Sequence, residues 1–303
     1  MGFKDKIRNN FWGKYAISLL HCVECHILPK MVSDKEAIIK NYKKETGKFI
    51  DLDNPVTFSE KLQWYKLNYK DPTMAVCADK YAVREYIINK GYGSILNELY
   101  GVFDNVKDIN LDILPENFVL KASHGSGQNI IVKDKNKLNW KRAKLLLDSW
   151  LKQDIYWGNR EWVYKDMPRH IIAEKYLEDE TGELRDYKFF CFNGKPTYMQ
   201  LEIGRYSGEH IRNFYDMDWN LMPFGKAMPH NNNVKIDKPS QFESMKKIAT
   251  DLSKEFQFVR VDLYSCGDKI YFGELTFFPA GGANDFIPSE YDKIVGLHWN
   301  VIK

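Results

Sequence analysis

The sequence predicts an α+β fold, with helices first and then helices alternating with antiparallel hairpins. Three observations carry this. The first ninety residues place apolar residues mainly at helical spacing. The stretch "RDYKFFCFNGKPTYMQLEI" is two strand-like runs joined at Asn193-Gly194, and "FVRVDLYSCGDKIYFGELTFF" is a second pair joined by a Ser-Cys-Gly-Asp turn. The chain has 303 residues, 44% of them hydrophobic, which is material for a substantial core.

Residues 35–45 and 58–70 read as helices, the second opening at "TFSEKLQWYKL", where Thr57 or Ser59 caps the first turn. The helical pattern runs on through "PTMAVCADKYAVREYIINKGYG" to a stop at Gly91. At "PENFVLKASHGSGQNIIVKD" the texture changes to strand, Gly-bearing turn, strand. "WKRAKLLLDSWLKQ" predicts a helix and "RHIIAEKYLED" a strand leading into a connector. The Asn193-Gly194 hairpin follows, then a helix in "FESMKKIATDLSKEF" and the last hairpin. No internal repeat or low-complexity segment interrupts this order.

A net charge of +3 with interleaved acids and bases argues against a nucleic-acid partner. The five scattered cysteines, Cys22, Cys25, Cys77, Cys191 and Cys266, form no disulfide framework and suit a reducing cytoplasm. "HCVECH" lacks the second ligand pair or βαβ context of a metal or redox site and reads as small residues on a helix. No apolar run reaches the roughly 20 residues of a membrane span, no secretory cleavage site follows the first residues, and Lys6 breaks a myristoylation pattern. A soluble cytoplasmic protein is expected. The first fifty residues carry ten Lys/Arg against five Asp/Glu, interleaved with Phe3, Phe11, Trp12, Tyr15 and Leu19. That pattern fits first a helix docked on its own protein, and second a peripheral contact with the anionic inner face of a membrane.

The last hairpin carries charges where a core element should not. Side chains alternate along a strand, so Arg260 and Asp262 share one face, as do Glu274 and Thr276 on the return strand. Twelve residues separate Asp262 from Glu274, which places them opposite one another. Facing carboxylates repel unless a cation lies between them, and oxygen ligands on adjacent strands suit Mg²⁺. The alternative is that Arg260 pairs with both acids. In "KASHGSGQN", Gly125 and Gly127 let backbone amides approach an anion beside Lys121, although the loop is neither a Walker loop nor GxGxxG and is equally a plain turn. Glu174 in "IIAEKYLED" could line an adenine slot or mark an edge strand, and Asp186 and Lys188 share a strand face as ribose and phosphate contacts or as an ion pair.

Taken in order and spacing, Lys80 in "DKYAVREYI", Lys121, Glu174, Asp186 with Lys188, "RVD" and "GELT" resemble the motifs of the ATP-grasp enzymes over about residues 75–290. "NPVTFSEKLQWYKL", "FVLKASHGSGQN", "DYKFFCFNGKP" and "FGELTFFPAGG" resemble the TupA-like branch, named after teichuronopeptide biosynthesis. The resemblance implies an ATP-grasp fold, two α+β subdomains clamping ATP, after an N-terminal mainly helical segment. The segment would be residues 1–72 and the ATP-grasp region 73–303, with a small lid at about 115–172 and a catalytic part at about 173–303.

By the same resemblance, Lys80 and Lys121 with Ser126 and Gly127 contact ATP phosphates, and Glu174 binds the adenine amino group or the ribose end. The backbone of Lys175, Tyr176 and Leu177 contacts the base, and Asp186 and Lys188 meet ribose and phosphate. Asp262, Glu274 and Thr276 hold one or two Mg²⁺, and Arg260 and Lys121 are the catalytic cations. Thr276 stands where many ATP-grasp enzymes have Asn, with Asn284 a nearby substitute. The implied reaction is ADP-forming ligation of an amino acid or amine to a carboxylate, here a uronic acid of a surface polysaccharide or its precursor. His124, His210 and His230 are candidate acceptor contacts or bases, and Trp150, Trp157, Trp162, Tyr206 and Trp219 are candidate sugar-stacking rings or core. Competing readings are a nucleotide-sugar glycosyltransferase with Asp216 and Asp218 as its DxD, and a non-catalytic ATP-binding protein.

Overall fold

A computed structural model describes residues 10–27, 32–179, 184–204, 210–234 and 236–301. Phe3 and Tyr206 lie outside the described residues, as do the side chains of Cys25 and His26. Among the described residues, five helices come first: α1 (Phe11–Ile27), α2 (Asp34–Thr46), α3 (Phe58–Asn68), α4 (Pro72–Ala78) and α5 (Val83–Asn89). Then come β1 (Leu99–Phe103), β2 (Phe118–Ala122), β3 (Asn129–Val132), α6 (Trp140–Leu151), α7 (Tyr156–Asn159) and β4 (Ile171–Lys175). The rest of the chain forms β5 (Asp186–Phe192), β6 (Lys195–Ile203), β7 (Ile211–Asp216), β8 (Gly225–Lys226), α8 (Phe242–Ser253), β9 (Phe258–Cys266), β10 (Lys269–Thr276), β11 (Phe286–Ile287) and α9 (Tyr291–Gly296).

Local chemistry explains the helix ends. Thr57 caps α3: its hydroxyl accepts from the Glu60 amide at 3.2 Å while the Glu60 carboxylate accepts from the Thr57 amide at 2.9 Å, a reciprocal capping box. The helix expected to run on to Gly91 is instead two helices. Asp79 Oδ1 accepts from the amides of Tyr81 and Ala82 at 2.7 and 3.0 Å, and this turn separates α4 from α5.

The chain divides into two compact units. The first takes the described residues of Met1–Asp34, Ala75–Val83 and Asn97–Tyr176. Its antiparallel sheet has the order β1-β4-β2-β3, and Phe118, Leu120, Ala122, Ile171 and Ala173 pack with Leu146, Leu147 and Trp150 of α6. The second takes Lys35–Met74, Arg84–Leu96 and the described residues of Leu177–Lys303, so the early helices are shared between the two units.

The second unit holds an antiparallel sheet in the order β10-β9-β5-β6-β7. One face is apolar: Phe189, Met199 and Val261 are in register there, and Phe189 meets Phe242 of α8 with ring centroids 5.9 Å apart. The other face changes character along its strands. At one end Phe190, Phe192 and Phe258 pack against Phe58 of α3 and Trp299, with Phe58 and Phe258 centroids 5.2 Å apart. At the other end the same face turns polar. The hairpin linking β5 and β6 has Asn193 and Gly194 at φ 49° and 77°, the left-handed pair that the Asn-Gly signal anticipates.

Candidate active site

The polar end of the second unit's sheet is a row of charges crossing three strands. Register sets Lys188 opposite Asp262, Asp262 opposite Glu274, and Arg260 opposite Thr276. Lys188 Nζ donates to Asp262 Oδ2 at 2.7 Å and also pairs with Asp186. Arg260 donates from Nε to Asp262 Oδ1 at 2.7 Å and from Nη2 to Asp262 Oδ2 at 2.6 Å, to Glu274 Oε1 at 3.0 Å and to the Thr276 hydroxyl at 3.0 Å. Thr276 in turn donates to Glu274 Oε1 at 2.8 Å. Arg260 thus pairs both acids, the arrangement that the structural alternative describes, and Thr276 is part of the row.

Burial makes these pairings consequential. The Asp262 side chain is 1% exposed against 35% for Glu274, so the row runs from the interior to the surface. Burial pushes the Asp186 carboxyl up to about 6, with Lys188 opposing, and Asp186 Oδ1 is buried with no hydrogen-bond partner among the described residues. Burial disfavours the Lys188 ammonium, but Asp186 and Asp262 outweigh it and its pKa is raised. The Arg260 guanidinium is likewise held above its ordinary value by Asp262 and Glu274 against the burial cost.

In the first unit, the Gly-bearing loop joins β2 to β3. Lys80 anchors beside it: its amide donates to the Ser123 carbonyl at 3.1 Å and its ammonium bonds the Gly125 carbonyl. A Cβ at Gly125 would come within 1.9 Å of Gln128 Oε1, so the end of that side chain would have to shift, and Gly127 adopts φ +69°. Ser126 and Gly127 are exposed at the loop tip. Lys121 Nζ pairs with Glu174 Oε2 at 2.7 Å between adjacent strands β2 and β4. The Lys175 amide and carbonyl are both engaged, with the Glu98 carbonyl at 3.0 Å and Asn97 Nδ2 at 2.8 Å. The Lys133 ammonium lies 5.4 Å from the Tyr176 ring centroid.

A sequence model of the TupA-like ATPgrasp family matches residues 60–299. The chain belongs to this family. It has the ATP-grasp fold, an α+β architecture with helices at its N-terminal end. Solved structures similar to this TupA-like chain include the D-alanine–D-alanine ligase from Bacillus anthracis complexed with ATP, 15% identical at TM-score 0.41 over 67% of this chain and 55% of that one. The D-alanine–D-alanine ligase from Helicobacter pylori is 15% identical at TM-score 0.41 over 74% and 58%. The ATP-grasp ligase PsnB complexed with minimal precursor, Mg and ADP is 8% identical at TM-score 0.39 over 73% and 57%. The chain spans little more than half the length of each. No curated protein matches the sequence.

The TupA-like chain extends its polar row beyond the residues that the sequence singled out. Glu202 on β6 lies opposite Asp186 and also opposite Arg212 on β7. Its carboxylate, 4% exposed, accepts from Gln200 at 2.7 Å, lies 3.1 Å from His210 Nε2 and pairs with Arg212 at 3.2 Å. His210, Arg212, His230 and Asn231–Asn233 help line a pocket of about 520 Å³. Reciprocal bonds fix one rim, Asn213 Nδ2 to the Asn231 carbonyl at 2.9 Å and the Asn231 amide to Asn213 Oδ1 at 2.7 Å.

Other sequence candidates sit elsewhere. His124 is neither a surface nor an acceptor-facing histidine: it is 2% exposed, its Nε2 lies 2.9 Å from the Trp150 carbonyl, and burial pushes its pKa down to about 4. Trp150 is core, and Trp219 stacks on Tyr215 at 4.6 Å and donates to the Ile236 carbonyl. Trp157 lies under the Arg160 guanidinium at 4.6 Å, and Trp162 sits in a short helical turn. Asp216 is occupied by its own turn, accepting from the amides of Asp218 and Asn220 at 2.9 and 2.8 Å, which is not how a metal-binding DxD presents its oxygens. Asn284 follows the tight turn Pro279–Gly282 and is half-buried.

Proposed function

We propose that this TupA-like ATP-grasp chain is an ATP- and Mg²⁺-dependent carboxylate-amine ligase. It would join an amino acid or another amine by an amide bond to a uronic acid of a surface polysaccharide or its precursor, at the cytoplasmic face of the membrane. The supporting observation is the charged row. Asp186, Asp262 and Glu274 set three carboxylates against Lys188 and Arg260, and one buried Asp186 oxygen has no partner among the described residues. The third carboxylate, Glu274, lies at the exposed end of the row, where a cation can balance it.

The donor set fits Mg²⁺. Among the described residues no three His, Cys, Asp or Glu side chains form a metal cluster. Mg²⁺ does not require one, because it binds through one or two carboxylates and fills its shell with water and phosphate oxygens. Asp262 and Glu274 would hold it with the Thr276 hydroxyl alongside. There the metal supplies charge neutralisation for phosphoryl oxygens.

In this reading Lys80, Lys121, Ser126 and Gly127 meet the phosphates, and the loop His124–Gln128 in the lid part excludes water. Glu174 and the Lys175–Leu177 backbone meet the base, while Asp186 and Lys188 orient ribose and phosphate. A free carboxylate is a poor electrophile, so its oxygen first attacks the γ-phosphorus and ADP leaves. The amine then attacks the acylphosphate carbon and phosphate departs. Arg260 offsets the charge that develops in both steps. The pocket of about 520 Å³ has the size and the Asn, His and Arg lining suited to a sugar acceptor.

The test is nucleotide release with the purified chain, ATP, Mg²⁺, mixed amino acids and a uronate acceptor. ADP release that requires both co-substrates, with an amide product by mass spectrometry, is expected. UDP release from a UDP-sugar would assign a glycosyltransferase instead. Arg260 pairing both acids favours one second reading, a non-catalytic ATP-binding protein, which would bind ATP without turnover.

A further inference from the structure

Helix α1 meets its own unit through polar contacts as well as apolar ones, and Phe11 packs against the unit's core. Ser18 Oγ lies 2.7 Å from Ser149 Oγ on α6, the Ser18 carbonyl accepts from Gln153 Nε2 at 3.1 Å, and Cys22 Sγ reaches the Ser149 carbonyl at 3.4 Å. Gly13 and Ser18 are buried, and Tyr15 and Ile17 are half-buried. A second apolar stripe faces out: Trp12 is 60% exposed, Leu19 43%, Leu20 62% and Val23 54%, with exposed Ala16 between them. Positions 12, 16, 19, 20 and 23 follow the i, i+4, i+7, i+8, i+11 spacing of a single helix face.

Cations border that stripe on α6: Lys141 and Arg142 are exposed at its start, with Leu145 exposed one turn on. The Arg142 guanidinium lies 5.5 Å from the Phe11 ring centroid and 5.9 Å from that of Trp12, so charge and aromatic surface are held side by side. Residues 1–30 carry five Lys/Arg against two Asp/Glu. No helix among the described residues is long and apolar enough to cross a membrane.

We propose that this face of α1 is a docking surface for an anionic lipid bilayer, with the helix lying in the interface plane. Trp12, Leu19, Leu20 and Val23 enter the acyl boundary while Lys141 and Arg142 meet anionic headgroups. An outward apolar stripe alone would suit a protein partner or a second copy as well. Its cationic border, with tryptophan at the rim, is the complement of an anionic headgroup layer. The surface belongs to one unit and does not depend on the ligase reading.

Flotation of the full chain with vesicles, without nucleotide, tests this apart from catalysis. The chain is expected to float with phosphatidylglycerol-containing vesicles, to float less with phosphatidylcholine alone, and to detach as salt rises. The Leu19→Glu/Leu20→Glu variant should bind at least about tenfold more weakly with unchanged thermal unfolding, since both side chains are exposed. Trp12→Phe should remove fluorescence quenching by brominated lipid. Three results would overturn the proposal: no binding of the wild-type chain to anionic vesicles, equal binding by the double variant, or a wild-type dimer that the double variant converts to monomer.

Discussion

Glu274 stands opposite Asp262 because Gly273 is an extra residue in β10. The two-residue turn Gly267-Asp268 pairs Cys266 with Lys269, and the ladder runs regularly to Phe272 opposite Leu263. An unbroken ladder would then set Gly273 against Asp262 and turn Glu274 to the apolar face. The bulge shifts the register by one, so Glu274 and Thr276 join the face of Arg260 and Asp262.

Deleting Gly273 should therefore make the ladder regular with Glu274 still opposite Asp262, and Mg²⁺-dependent ATP binding should survive. Gly273→Ala is the control for folding. Its Cβ would meet the Asp262 carbonyl and the Tyr264 ring at 3.0 Å, which should cost about 1 kcal/mol and leave binding in place. Calorimetric titration with ATP and thermal unfolding of both variants check this.

Lys188 lies between Asp186 and Asp262 at a site 7% exposed. Lys188→Met would leave those acids facing each other without their shared cation, and urea unfolding at pH 7 should show a loss of about 3–5 kcal/mol. The Asp186 carboxyl, raised above its unfolded value, costs stability at neutral pH, and without Lys188 to oppose that rise part of the loss should return as pH falls, beginning above the wild-type value of about 6. Adding Asp186→Asn should restore part of it at pH 7.

His124 should make folding sensitive to mild acid. Its folded pKa of about 4 lies below the unfolded 6.5, so the unfolded chain binds the proton first and stability falls as pH drops from 6.5 towards 4. The contribution is up to about 3 kcal/mol. His124→Gln keeps an amide donor for the Trp150 carbonyl and should flatten that part of the stability profile.

Lys226 is 4% exposed, lies 4.6 Å from the ring centroids of Phe58 and Phe286, and its ammonium has no hydrogen-bond acceptor among the described residues. Burial pushes its pKa down to about 8. Lys226→Met should raise stability at pH 7 by about 1–3 kcal/mol, the desolvation cost exceeding the cation–π gain. Wild-type stability should climb between pH 8 and 10.5, where the unfolded chain still holds the proton, and the variant should lack that rise.

Much of this was legible in the sequence because it is local. The capping box at Thr57, the Asn193-Gly194 turn and the strand alternation of Arg260 and Asp262 each lie within a few residues. The facing of Asp262 and Glu274 is also legible from their spacing, and the bulge at Gly273 reconciles that spacing with the two-residue turn Gly267-Asp268. The strand holding Arg212 was not, because "HIRNFYD" does not alternate cleanly and Arg212 meets Glu202 only through β6–β7 pairing. The break at Asp79 was hidden by a continuous helical pattern that one side-chain cap interrupts. The outward stripe of α1 was hidden because an amphipathic pattern shows that a helix has two faces, not which one meets the protein.

The acylphosphate route makes one demand on atoms. The oxygen through which the carboxylate attacks ATP leaves with the released phosphate. With a uronate acceptor labelled in its carboxylate with ¹⁸O, ATP, Mg²⁺ and the amine, mass spectrometry should find one ¹⁸O in each phosphate released and one in each amide. Unlabelled phosphate, with the ¹⁸O found instead in AMP or water, would contradict ligation through an acylphosphate.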